Sequence, residues 1–117
     1  MSKYVTPKDE RVTVPVGTLD SIIIPPTSMR GDDSAFIELI NDGTDTLNAV
    51  IETSATGAAP WSPWPNDVFA GIASGAPPRP AIVDADFQFF RVRGQFGLTA
   101  GNVRVSVVRQ RRASRVL

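Results

Sequence analysis

The chain reads as an all-β domain, a two-sheet antiparallel β-sandwich whose strands could be joined in a jelly-roll-like manner. Three observations predict this class. Valine, isoleucine and phenylalanine recur with period two in several short stretches. Turn residues separate those stretches at the roughly 8–12-residue spacing of sandwiches and barrels. No segment longer than two helical turns keeps a 3.6-residue apolar repeat. A length of 117 residues, 42% hydrophobic and 21% charged, suits one globular domain with a single core.

The first strand is carried by Val12, Val14 and Val16, which share a face opposite Arg11, Thr13 and Pro15. Pro15 lacks an N–H and cannot complete a ladder on both sides, so this strand belongs at a sheet edge. Residues 21–24 form a β-branched run that Pro25-Pro26 is expected to stop. In 35–40, Phe36, Glu38 and Ile40 face one way and Ile37 and Leu39 the other. Asn41-Asp42-Gly43 is the strongest turn signal, and Leu47, Ala49 and Ile51 then resume the alternation. The spacing predicts a hairpin of 35–40 with 46–53.

The middle of the chain breaks the pattern. Six of the ten prolines fall between 53 and 80, and Pro60-Trp61-Ser62-Pro63-Trp64-Pro65 excludes a regular helix. Residues 54–80 are expected to form one long ordered Pro/Gly/Trp-rich loop, with a short strand or single turn at 67–72. Loops of this length in a compact domain are usually functional or disordered.

Alternation returns with Phe90 and Val92 on one face and Phe89, Arg91 and Arg93 on the other. Gly94 and Gly97 suggest a bulge or turn. Val103, Val105 and Val107 then alternate with Arg104 and Ser106, predicting a second hairpin of 82–96 with 102–110. About seven strands result. The organisation expected is an extended N-terminal arm over 1–9, one sandwich domain over 10–108 and a basic C-terminal tail over 109–117.

Composition narrows the chemistry. There is no cysteine and no histidine, which removes thiol nucleophiles, zinc-thiolate sites and the usual general base near neutral pH. Asp32-Asp33 and Asp84 with Asp86 are carboxylate pairs of the kind that serve acid–base or metal work. A turn is the favoured explanation of Asp32-Asp33 and a solvated strand start that of Asp84 and Asp86, for which no third ligand is apparent. No enzymatic activity, cofactor or metal is therefore expected. Arg30-Gly31-Asp32 matches the integrin-read tripeptide, but a Gly-centred turn accounts for it. No apolar run is long enough for a membrane helix. The N-terminus lacks the apolar stretch of a secretory signal, so synthesis in a cytoplasm is expected.

A net charge of zero hides a segregation. Residues 1–86 hold five basic and all twelve acidic residues, a balance of −7, and 87–117 hold seven arginines and no acid, +7. Either the late strands pair with acidic strands of the same domain, or the tail grips something negative. Arg109, Arg111, Arg112 and Arg115 suit bidentate pairing with carboxylates at a protein interface. Four arginines without interleaved aromatics are too few for tight nucleic-acid binding. Trp61 and Trp64 sit on a proline-stiffened backbone that loses little entropy on docking, and tryptophan is enriched at binding hot spots. One indole is expected in the core and the other at an interface.

The ending, Phe89-Phe90-Arg91-Val92-Arg93-Gly94 through Gly101-Asn102-Val103-Arg104-Val105-Ser106-Val107-Val108-Arg109, resembles the closing hairpin of small tailed-phage virion proteins of the capsid decoration or cement type. The resemblance covers the last quarter of the chain in pattern and carries over no functional residue. It implies a β-sandwich seated on a capsid lattice, often as a trimer, with the major capsid protein or other virion subunits as partners and the virion, assembled in the host cytoplasm, as its location. Tyr4 and Val5 in the arm, Trp61 and Trp64 in the loop, and the four tail arginines are the expected contact residues. An edge strand at 10–16 could also add to a neighbour's sheet. The alternative is a phage tail, baseplate or fibre-associated module, or a cellular carbohydrate-binding module, that stacks a sugar on Trp61 or Trp64.

Overall fold

The computed structural model describes residues 11–29, 34–64, 67–84 and 88–110. They form eight strands: β1 (Val12–Val16), β2 (Ser21–Ser28), β3 (Ser34–Asn41), β4 (Leu47–Ser54), β5 (Ser62–Pro63), β6 (Arg79–Val83), β7 (Phe89–Phe96) and β8 (Gly101–Gln110). Two four-stranded antiparallel sheets, ordered β1-β8-β3-β6 and β2-β7-β4-β5, pack face to face. The expected β-sandwich is therefore present, with eight strands rather than seven.

The connectivity follows from four pairings. β1 lies antiparallel to β8, β2 to β7, β3 to β6 and β4 to β5. The chain is thus a two-stranded ribbon doubled back between β4 and β5. Rolling the ribbon brings β8 beside β3 and β7 beside β4. This is the eight-strand jelly roll.

Both expected hairpins are corrected by this topology. β3 and β4 lie in different sheets, as do β7 and β8, so the turns at 42–46 and 97–100 are arches across the core. A turn signal specifies that the chain reverses, not that the two arms pair. Here the reversal is bent out of the sheet by Asn41, which is 1% exposed. Its Nδ2 donates to the carbonyls of Asp45 and Ile72, both at 2.8 Å, and its Oδ1 accepts from the Gly43 N–H at 2.8 Å. Asn41→Ala would leave these groups without their partner. A loss of about 2 kcal/mol is expected, read as a lower urea midpoint at unchanged slope.

Two further expectations change. Pro25-Pro26 do not end β2, which continues to Ser28 with register shifts between Ile22 and Ile24 and between Ile24 and Thr27. Pro25 and Pro26 lie in the second of these irregularities, between the pairs Ile24–Val92 and Thr27–Phe90, where neither has a ladder partner on β7. Gly94 forms no bulge or turn; it continues β7 opposite Ser21 and Ala49. A Cβ there would lie 2.7 Å from the Asn48 carbonyl oxygen, so only glycine fits between the flanking strands.

Proline use obeys a simple rule. Pro15 lies on β1, Pro25 and Pro26 on β2, Pro63 on β5 and Pro80 on β6. These are the four outer strands, and the four inner strands have none. All four sheet edges are thereby blunted against pairing with another chain. The placement of Pro15 agrees with the edge expected from sequence.

The period-two residues fill the space between the sheets. Ile37, Leu39, Leu47, Phe90, Val92 and Phe96 are completely buried. The excursion after β4 contributes too. Phe69 and Ile72 are buried, and the segment follows the outer side of β4: Trp64 N–H donates to Ile51 O at 2.7 Å, Ala49 N–H to Phe69 O at 3.1 Å, and Leu47 and Ile72 exchange bonds of 2.9 and 2.8 Å. A turn at 68–71 and a single bridge at Ile72 stand where a strand or turn was expected. Much of the 54–80 loop thus covers the molecule's own sheet.

Candidate functional site

Three surfaces emerge from this scaffold. The first is the outer face of the β2-β7-β4-β5 sheet. Pleating turns Arg91 and Arg93 outward from β7, and register sets Glu52 of β4 opposite Arg91. The Glu52 carboxylate accepts from Arg91 Nε at 2.8 Å, Arg93 Nε at 2.8 Å and Arg93 Nη2 at 3.0 Å. Arg93 Nη1 also donates to Asp20. The Arg91 guanidinium lies over the Trp61 ring, 4.3 Å from its centroid, a cation–π contact. The Arg93 bonds, opposed by burial and reinforced by Arg91, hold the Glu52 carboxyl below its ordinary value, and Arg93 is correspondingly raised.

This network tests the charge segregation read from the sequence. Arg91 and Arg93 pair with Glu52 and Asp20, and Arg104 binds Asp42 through Nε at 2.6 Å and Nη2 at 3.0 Å. For these arginines the segregation is sequential only: the roll brings late strands beside early acids.

The expected contact residues are distributed as follows. Trp61 is half-buried beneath Arg91. Trp64 is half-buried and packs against the core cluster. Arg109 is exposed near the end of β8, and its Nη1 donates to Ser28 O at 3.1 Å. Tyr4, Val5, Arg111, Arg112 and Arg115 lie outside the described residues, as do Asp32, Asp33 and Asp86. Trp61 immediately precedes β5 of one sheet, and Arg109 lies near the end of β8 of the other.

The second surface is the end of the roll where the β1–β2, β3–β4, β5–β6 and β7–β8 connections meet. Ser74 Oγ donates to Gly43 O at 2.6 Å, and Phe96 N–H donates to Gly17 O at 2.9 Å. The Asp45 carboxylate accepts from the backbone N–H groups of Leu98 and Thr99. These backbone bonds, led by Leu98 and Thr46, hold its carboxyl below the ordinary range. Leu19 and Leu98 protrude from neighbouring loops here, 80% and 88% exposed. Between the bases of those loops is an open cleft of about 410 Å³ lined by Pro15, Val16, Gly17, Ala100, Gly101 and Asn102.

The third surface is the outer face of the β1-β8-β3-β6 sheet. Phe36 stands in register with Ile82 on one side and Val108 on the other, forming an apolar row in which Ile82 is 60% exposed. Arg11 and Glu38 pair beside this row at 2.8 Å.

Sequence reasoning did not single out Leu19, Leu98 or the Glu52 network. Each leucine stands alone in a polar or glycine-containing turn, Thr18-Leu19-Asp20 and Gly97-Leu98-Thr99, and that isolation was the available signal. Among the described residues no group of three or more acidic side chains is placed to hold a metal ion. No helix among them is long and apolar enough to cross a membrane. No protein-family model matches the sequence, and neither curated proteins nor solved structures contain a significant match.

Proposed function

We propose that the chain is a non-enzymatic structural protein of a phage virion, of the capsid decoration or cement type, which binds and stabilises a capsid lattice. Its partner is the major capsid protein or another virion subunit. The observation that carries this reading is the jelly roll with prolines on all four outer strands. A subunit repeated across a shell must dock at chosen surfaces without polymerising through its sheets. Jelly rolls also build lectin domains and cupins, and a fold alone does not name a function. The assignment therefore rests also on the phage-like closing segment and on the apolar surfaces left at one end and on one face. Addition of 10–16 to a neighbour's sheet has little support, because Pro15 interrupts the donors of that edge.

The glycan-binding alternative has thinner support. One face of Trp61 is occupied by Arg91 and much of Trp64 packs on the core. Sugars are expected to leave the tryptophan fluorescence of the isolated chain unchanged.

Rebinding to stripped capsids tests the proposal. The full chain should cosediment with capsids from its source. Arg109 and Gln110 belong to β8 rather than to the tail expected over 109–117, so the test removes 111–117. That should weaken the binding and flatten its salt dependence, because the arginines there would no longer displace counterions. Failure of the full chain to cosediment would contradict the function. Equal binding by the truncated chain at every ionic strength would contradict the role of the tail.

A further inference from the structure

We infer that Arg91, stacked on Trp61 and braced by Glu52, is a docking contact that takes the carboxylate of an acidic side chain on a partner protein. The inference concerns the chemistry of the contact and holds whatever the partner is, so it stands apart from the virion assignment. It starts from an asymmetry between two neighbouring arginines. Arg93 spends Nε and Nη2 on Glu52 and Nη1 on Asp20. Arg91 spends only Nε, on Glu52. Among the described residues nothing accepts from its Nη1 or Nη2. Neither nitrogen is sealed in, because no enclosed side-chain nitrogen or oxygen among the described residues lacks a partner. Both therefore reach solvent at the outer face of the sheet. The end of a guanidinium offers two parallel N–H groups, the fork that pairs with a carboxylate through two hydrogen bonds.

The fork is already aimed. The guanidinium lies 4.3 Å from the centroid of the Trp61 ring, and Glu52 holds its Nε at 2.8 Å. The Arg91 side chain is 21% exposed, so it has given up much of its hydration and freedom before a partner arrives. On the side away from Glu52, register places the exposed Pro25 and Pro26 of β2 next to Arg91, an uncharged rim for the contact. Tryptophan and arginine are among the residue types most enriched at interface hot spots. Glu52 decides the charge of the ligand. It sits at the same guanidinium, and a doubly charged phosphate would meet about twice the repulsion from it that a carboxylate meets. A protein side chain is favoured over a uronic acid because Arg91 covers one face of the Trp61 ring and the residue is half-buried, which leaves little ring for a sugar to stack on.

An NMR titration of the isotope-labelled full chain with N-acetyl-glutamic acid α-methylamide, near neutral pH and at fixed ionic strength, tests this. The Arg91 Nε–H and Trp61 indole N–H signals should shift together and saturate, with a Kd in roughly the millimolar range. The glutamine counterpart, alike in shape but uncharged, should bind about tenfold more weakly or not at all. Arg91→Lys keeps the charge and loses the fork and the stack, and should weaken the Trp61 response by about tenfold. Inorganic phosphate and glucuronate should each bind more weakly than the glutamate derivative. The glutamine comparison uses the unaltered chain, so the test stands even where the variant folds poorly. A glutamate response that never saturates would overturn the inference. So would equal binding of the two derivatives, undiminished binding by Arg91→Lys, or tighter binding of phosphate or glucuronate.

Discussion

Phe96→Ala is expected to lower stability by about 4 kcal/mol, the range for deleting a buried aromatic ring that its surroundings cannot replace. Phe96 is completely buried at the end of β7. A Cβ on Gly43 would lie 2.8 Å from its ring, and one on Gly101 3.3 Å away. Two arches have therefore closed down on one side chain, with glycine at each point of approach. Its backbone N–H also holds the β1–β2 connection through Gly17 O. The cavity left by alanine would lie where both arches depend on the same support, so collapse around it is hindered. Urea denaturation reads the loss. A destabilisation below about 1.5 kcal/mol, less than that of a typical large-to-small core change, would show that the ring does not organise this end.

Glu52→Ala is expected to cost about 3 kcal/mol, the lower end for breaking a buried ion pair, because Arg91 and Arg93 keep part of their hydration. The carboxylate side chain is 8% exposed and the arginines 21% and 32%. Removing it would leave two neighbouring guanidinium groups facing each other on β7. The pH dependence has a defined sign. The Glu52 carboxyl is held below its ordinary 4.5. Its contribution is fully present above that unfolded value and is lost as pH falls through the lower folded one. Glu52→Ala should therefore show a shallower fall in stability on acidification below about pH 4.5 than the unaltered chain. Parallel pH–stability curves would mean that other carboxylates dominate acid unfolding.

The legible part of the fold was the local part. Alternation in Phe36–Ile40 or Val103–Val107 is a property of the pleat and needs no knowledge of the partner strand. Pro15 betrayed an edge because a missing donor can be tolerated only there. Pairing was not legible, since it depends on where the chain goes after each turn. Asn41-Asp42-Gly43 signalled reversal, yet the bond from Asn41 to Ile72, 31 residues away, bends the reversal across the core. The same limit hid the Glu52 network: Arg91 and Arg93 on one face were readable, but the acid opposite them was not. Trp61 and Trp64 stood out by composition, whereas the role of each depended on neighbours brought in by the roll.

The most direct measurement of the central claim is high-resolution imaging of native particles from the source of this chain. The expected result is density for the jelly roll at symmetry-repeated positions on the outer shell, with defined surfaces against capsid subunits and no sheet continued from one roll into the next. Particles lacking the chain, or rolls confined to a tail tip with a sugar-binding surface turned outward, would contradict it.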